Sequence, residues 1–569
     1  MVNVKNLFGM AVMATALVGC SSNDNLAPDG KDNVGKAGTA YAKFTIQLPT
    51  VSGTRAVDPN TGTEFNGGTA DEYAVNDAQL VIFEKTGTSS SEGDYTFVET
   101  VNIGNLEPWS DQTSANQGVT RYANITAQLN GVSLGGKYYA LIILNNDGGS
   151  KVTLPTTKGT TYSAWNDANN ADGAAFLKSD NGFYMANAPL YSTGEPTTLV
   201  PINGVYSTKA EAQTNPATTV YVERGMAKVT VNGSDFTIDD ESSTYKNDIV
   251  KINQWTLDVL NKSTFPVHAT TGLTTNFAGI WKEPRFVATG STPQRVYWGI
   301  DPNYDKTTLT TVQACQDEFY IVDNNGKTYN GNPSSTFTWS DKKTPLYCLE
   351  NTFDINNMKQ GQTTRVLFKA TYTPAAVASQ KDKTFFMIGN NPKIWTKTTL
   401  EQQISSKVND LLNSTSASVT INADAALLKA GSHKIAAADI TITGADATSL
   451  RYDELNTKLG LDNTPGIKTY ENGECYYIAR IKHFNALTPW SSGKETYGTN
   501  NDTNNKKYLG RYGVLRNNWY DLTVSKVSAP GYPDVPVVNP DVPDDEDTKF
   551  INVEVKILDW AKRSQSIEL

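Results

Sequence analysis

The sequence predicts an all-β fold with minor helical insertions, and three observations carry that reading. Its strong apolar runs have strand length, some alternating with polar residues and some continuous. Turn-rich segments such as Asp323-Asn-Asn-Gly326 separate them. Helical spacing is sparse. Such a mix fits antiparallel sandwiches with long surface loops. With 569 residues, the chain has room for two or three domains and a sizeable core.

The elements follow in order. Lys5 and the short apolar run Leu7 to Leu17 form a targeting segment too short to span a bilayer. Leu17-Val-Gly-Cys20 closes it, a pattern similar to the bacterial lipoprotein lipobox, which implies cleavage before Cys20 and acylation of its thiol and new amine. Residues 21–39 are polar and read as a tether. Tyr41 to Pro49 reads as a strand with Phe44, Ile46 and Leu48 on one face. Behind it, Val51-Ser-Gly-Thr-Arg-Ala56 is a small-residue loop suited to nicking.

Body strands are expected at Ala78–Phe83, Lys137–Asn145, Thr219–Val231, Trp255–Leu260, Thr364–Tyr372, Cys475–Ile481 and Trp519–Val527. Gly225 interrupts the longest of these, where a bend from one sandwich to the next is expected. The clearest helix is Thr398–Leu412, with Leu400, Ile404, Val408 and Leu411 in helical spacing and a capping box from Thr398 to Glu401. Shorter helices are expected at Ala423–Ala430 and Ser449–Leu459. The segment Pro530 to Asp547 is rich in Pro and Asp and reads as an unfolded linker, with Asp544 to Asp547 as a solvated spacer. Val553, Val555 and Ile557 beyond it alternate as in a half-buried strand, with Trp560 following, so a strand on a leash must find a sheet edge.

Composition narrows the function. The net charge is -10 and no Lys/Arg-rich run occurs, which argues against a nucleic-acid partner. The three His (His268, His433 and His483) are far apart, and no zinc-protease, serine-hydrolase or phosphate-loop motif is found, so neither enzyme nor cofactor is indicated. A nucleophile pair of Cys475 with His483 is weak. With Cys20 lipidated, Cys315, Cys348 and Cys475 remain. A Cys315–Cys348 disulfide is one arrangement, and three buried free thiols is the favoured one. Trp109, Trp165 or Trp490 would be the stacking platforms if the protein bound glycans, but core packing is the default for Trp.

Taken together, several stretches resemble the Bacteroidales fimbrillins of the major and minor fimbria family, closest to minor-fimbria shaft subunits. They are the lipobox at Cys20, the Arg55-Ala56 junction, Gly136-Lys-Tyr-Tyr-Ala-Leu-Ile-Ile-Leu-Asn145 and Val222-Glu-Arg-Gly-Met-Ala-Lys-Val229. Tyr347-Cys-Leu-Glu-Asn-Thr352, Val514-Leu-Arg-Asn-Asn-Trp-Tyr520 and the Pro/Asp linker before the last strand complete the series. The resemblance implies two transthyretin-like Greek-key β-sandwich domains plus a C-terminal donor strand. It divides the chain into a signal peptide (1–19), a tether and removable first strand (20–55), domains at 56–221 and 222–529, and a linker with donor strand (530–569). It further implies cleavage after Arg55 by a trypsin-like or gingipain-like protease and loss of the strand bearing Phe44, Ile46 and Leu48. The vacated groove is then filled by a neighbour's Val553, Val555, Ile557 and Trp560. Implied partners are further copies of the chain in a homopolymer, tip and anchor fimbrial subunits, and the outer membrane, through the lipid, during export. The implied function is a structural subunit of a surface fimbria supporting adhesion and biofilm formation; the alternative is a glycan-binding lipoprotein that stays anchored.

The implied mechanism is physically sound. A filled sheet keeps a precursor monomeric, since an open apolar edge invites association. A donated strand supplies ladder hydrogen bonds, and its alternate side chains supply specificity. Each apolar donor side chain contributes about 1.5–3 kcal/mol on full burial. An extended linker of ~20 residues at ~3.1 Å each reaches about 60 Å, which allows a neighbour's groove or a fold back onto the same chain.

Overall fold

The computed structural model describes residues 39–565 except 50–68, 107–109, 112–118, 169–170, 178, 234, 277–280, 282–285, 288–292, 324–325, 330–337, 484–511, 545–550 and 560. It is built mainly of strands in several sheets, with few helices.

The first sandwich uses β1 (Ala40–Pro49), β2 (Ala78–Glu84), β3 (Thr96–Asn102), β4 (Val119–Leu129), β5 (Tyr138–Leu144), β6 (Met185–Asn187) and β7 (Thr218–Arg224). Its layers join in one hydrogen-bonded path, β3-β2-β5-β6-β7-β1-β4, closed by the short strand Ser110–Asp111 on β4. Alternation explains the central core. Phe44 and Ile46 of β1 and Ile125 of β4 meet Leu80 and Ile82 of β2, Ile142 of β5 and Val220 of β7. The continuous runs of β2 and β5 are apolar on both faces because a second core covers their other side. There Val81, Phe83, Leu141 and Ile143 pack on Trp165, Phe176 and Tyr184.

At Gly225 the chain changes sheets, β7 ending at Arg224 and β8 (Ala227–Asn232) starting beyond. A Cβ on Gly225 would collide with the Phe176 ring, so the close approach of that ring requires glycine. The second sandwich adds β9 (Ile249–Asp258), β10 (Leu346–Cys348), β11 (Arg365–Thr373), β12 (Glu474–Arg480), β13 (Trp519–Val527), β14 (Ile551–Asp559) and β15 (Ala561–Gln565). One sheet runs β10-β8-β13-β14-β15, and the other carries β9-β11-β12. Val229, Val231, Tyr520 and Leu522 face Trp255, Leu257, Phe368 and Tyr372 across the gap.

Between β11 and β12 an inserted lobe has its own core, built around α1 (Lys397–Leu412) and α2 (Tyr452–Lys458). Leu400, Ile404 and Val408 are buried as their spacing requires. The cap differs from expectation. Thr396 is the N-cap, with reciprocal bonds to Thr399, because Thr396 is still extended while Thr398 is already helical. The helix expected at Ala423–Ala430 shrinks to one 3-10 turn, Ala426–Leu428, which buries Leu427.

The linker departs most from expectation. Residues 530–544 form a strap docked on the second sandwich. Val535 and Val538 are each only 2% exposed, plugged into two apolar clusters. Tyr532 exchanges backbone bonds of 2.7 and 2.8 Å with Tyr476. Arg365, itself paired with Asp258 at 2.8 Å, donates to the Pro536 carbonyl at 2.7 Å. Asp544 is fully buried rather than solvated. A Pro-rich strand lacks donors of its own, and here the sandwich's side chains and edges supply them.

Candidate assembly site

β1 is an interior strand. It runs antiparallel to β4 from Ala40↔Leu129 to Pro49↔Val119, and parallel to β7 from Phe44↔Thr218 to Gln47↔Tyr221. Tyr41 adds two bonds to Tyr206, 2.8 and 2.9 Å. Ala42, Phe44 and Ile46 are fully buried, and Leu48 is 2% exposed. On the outer face Thr45 donates to Asn124 Oδ1 at 2.7 Å, and Lys43 donates to the Gln213 carbonyl at 3.0 Å. Pro49 has no N–H and stands at a register irregularity, which ends the ladder. Withdrawing β1 would therefore leave a slot between β4 and β7 with unpaired backbone groups on both walls and an apolar floor. Sequence reasoning did not find the wall residues Asn124, Tyr206 and Val220, since nothing in their spacing relates them to β1.

The tail is paired within its own chain. β14 runs antiparallel to β13, from Val527↔Ile551 to Trp519↔Leu558, with an irregularity between Val524 and Lys526. β15 turns back on β14, from Asp559↔Ala561 to Val555↔Gln565. The backbone of Val553, Val555 and Ile557 is thus ladder-bonded in cis. Cys20, Arg55, Ala56 and Trp560 lie outside the described residues.

Two buried charge networks lock the sandwiches together beside this site. Lys228 of β8 pairs with Glu72 at 2.6 Å and lies 3.9 Å from the centre of the Trp519 ring. The Tyr347 hydroxyl donates to Glu72 at 2.6 Å, and Arg224 Nε donates to the Glu72 carbonyl at 2.8 Å. Burial works to raise the Glu72 carboxyl, but the bonds from Lys228 and Tyr347 outweigh it and hold it below its ordinary range. In the second network His268 stands 2.8 Å from Glu223 of β7 and 3.1 Å from Glu350, with Arg295 on Glu223 at 3.0 Å and Arg516 on Glu350 at 3.1 Å. Burial works to lower the imidazole, yet the two carboxylates overcome it and raise it to about 9. These residues are scattered between Glu72 and Arg516, and no motif links them in sequence.

Cys475 and His483 do not form a nucleophile pair. Cys315, Cys348 and Cys475 are free and buried, so no Cys315–Cys348 bridge forms. Burial pushes the Cys475 thiol up to about 12, and His483 is committed to the Tyr520 hydroxyl at 2.7 Å. Trp165 is 3% exposed, its Nε1 donating to the Thr153 carbonyl at 2.8 Å, so it is a core residue and no stacking platform. Trp109 and Trp490 lie outside the described residues.

Residues 468–566 match the family model described as major fimbrial subunit protein type IV, fimbrillin, C-terminal. That span holds β12, β13, the strap, β14 and β15. No curated protein matches the chain. Among solved structures, a fimbrilin of Porphyromonas gingivalis is 10% identical with a TM-score of 0.38, the match covering 93% of this chain and 99% of that one. A fimbrial assembly protein of Parabacteroides distasonis is 10% identical with a TM-score of 0.29, covering 63% of this chain and 93% of that one.

Proposed function

We propose that this chain, whose residues 468–566 carry a fimbrillin C-terminal region, is a structural subunit of a cell-surface fimbria that polymerises by strand exchange. The observation that carries the reading is the seat of β1. It is a ten-residue strand near one end of the chain, buried between two others, and followed by the Arg55-Ala56 junction. Cutting there would free β1 to leave without unfolding β4 or β7. The nine-residue β14 would take its place in a neighbouring copy. In cis, β14 lies between β13 and the short β15; in the slot it would lie along the eleven-residue β4 on one side and the start of β7 on the other. Export as a lipoprotein through Cys20, removal of 20–55 by a trypsin-like protease, and capping by tip and anchor subunits complete the proposal. The burial of Trp165 gives the glycan-binding alternative no support.

Limited trypsin digestion, N-terminal sequencing and denaturing gels test the proposal. The expected product starts at Ala56 and forms SDS-resistant ladders that vanish when residues 550–569 are deleted. A product cut after Arg55 that stays monomeric with its tail intact would overturn it.

A further inference from the structure

Resting on the strand-donation reading, we infer that Asp544 is the fixed exit point of the donated tail. The strap stays with the donor's body, and the receiving slot of a second copy lies against the donor's face around Asp544. Asp544 is held three ways: its N–H donates to the Met358 carbonyl at 3.2 Å, Thr363 Oγ1 donates to its carboxylate at 3.0 Å, and Arg480 Nε donates to its carbonyl at 3.1 Å. Just before it, the Gln360 N–H donates to the Val542 carbonyl at 3.0 Å, and Lys359 faces Pro543 as an antiparallel bridge. Peeling the strap would also expose Val535 and Val538 and strip Arg365 of a partner in a buried site. In its sheet, β14 is ladder-bonded to β13 on one side and to its own hairpin strand β15 on the other.

Chain length then sets the geometry. From Asp544 to Ile551 the chain can span at most about 25 Å, whatever path it takes. This is less than half the reach expected of a free Pro/Asp linker. It requires close contact between the second sandwich of the donor and the first sandwich of the acceptor.

Three measurements on the full chain separate the possibilities. Bridge and ladder partners lie within disulfide reach. Lys359→Cys with Pro543→Cys, oxidised, staples the strap, and Thr523→Cys with Glu554→Cys staples β14 to β13. After trypsin the strap-stapled chain forms ladders like the unaltered protein, whereas the β14-stapled chain forms none until reduced. Hydrogen exchange on the uncut chain shows Gln360, Tyr476, Tyr532 and Asp544 amides as protected as those of β11. Ladders that need reduction of the strap staple, or strap amides that exchange freely, overturn the inference. Absence of ladders from the unaltered protein counts against strand donation instead, while the exchange data still decide whether the strap is fixed.

Discussion

Replacing Phe44 by Ala measures how firmly the first strand is seated. Phe44 is fully buried at the middle of β1. Removing such a ring costs about 3–5 kcal/mol, counting the cavity left behind. Ile46 and Leu48 contribute about 1.5–3 kcal/mol each by burial, so Phe44 carries a share comparable with the two together. In the uncut protein the cost falls on the first sandwich, at roughly 2–4 °C per kcal/mol for a unit of its size. Its melting step should therefore drop by roughly 6–20 °C. After cutting at Arg55 the strand is held by contacts alone, and the same energy lowers its occupancy by roughly 100- to 4,000-fold, at tenfold per 1.4 kcal/mol. Gel filtration with mass spectrometry of the nicked protein reads the retained peptide, and gels read the onset of ladders. The variant should lose its peptide sooner and assemble faster. An unchanged melting step and unchanged retention would refute the claim that β1 is anchored by its buried face.

Other outcomes follow from the buried networks and the sheet junction. Lys228→Met takes the counter-ion from the buried Glu72 carboxylate and should cost about 3–5 kcal/mol in denaturant titration, most of it recovered by adding Glu72→Gln; no loss in the single variant would show that the pair does not brace the junction. His268 is raised from its ordinary 6.5 to about 9 in the fold. Its stabilisation is therefore complete below pH 6.5 and is lost as the pH rises through 9. Melting temperature should fall across that window, and His268→Gln, which keeps Glu223, Glu350, Arg295 and Arg516 in place, should flatten the fall. Gly225→Ala pushes a methyl into the Phe176 ring and should cost about 1–3 kcal/mol, with Phe176→Leu relieving it; a neutral Gly225→Ala would remove the reason for glycine there.

Local pattern carried the strands and failed where distant groups decide the outcome. Phe44, Ile46 and Leu48 announce a one-sided strand because period-two spacing is a property of the segment itself. The same holds for Leu400, Ile404 and Val408 on α1. The cap of α1 slipped two residues because Thr396, Thr398 and Thr399 offer the same chemistry, and only backbone conformation chooses among them. The strap is not legible in the sequence because Pro and Asp describe what a segment cannot do alone. Arg365, Arg480 and Thr363, which hold it, lie 64 to 181 residues away from their partners. Likewise Glu223, His268 and Glu350 are ordinary residues in sequence, and become a network only when β7 ends against the second sandwich. That the tail folds back on β13 was one of two options its length allowed, and the ladder pairing chose it.

The central claim is that a vacated β1 slot in one copy receives the tail of another. Mixing two single-function forms isolates that event. One is cut after Arg55 and lacks residues 550–569, so it can only receive; the other is uncut with its tail intact, so it can only donate. Strand exchange predicts an SDS-resistant dimer of the two and no longer species. No dimer, or a dimer that forms equally when the donor also lacks its tail, would contradict the account.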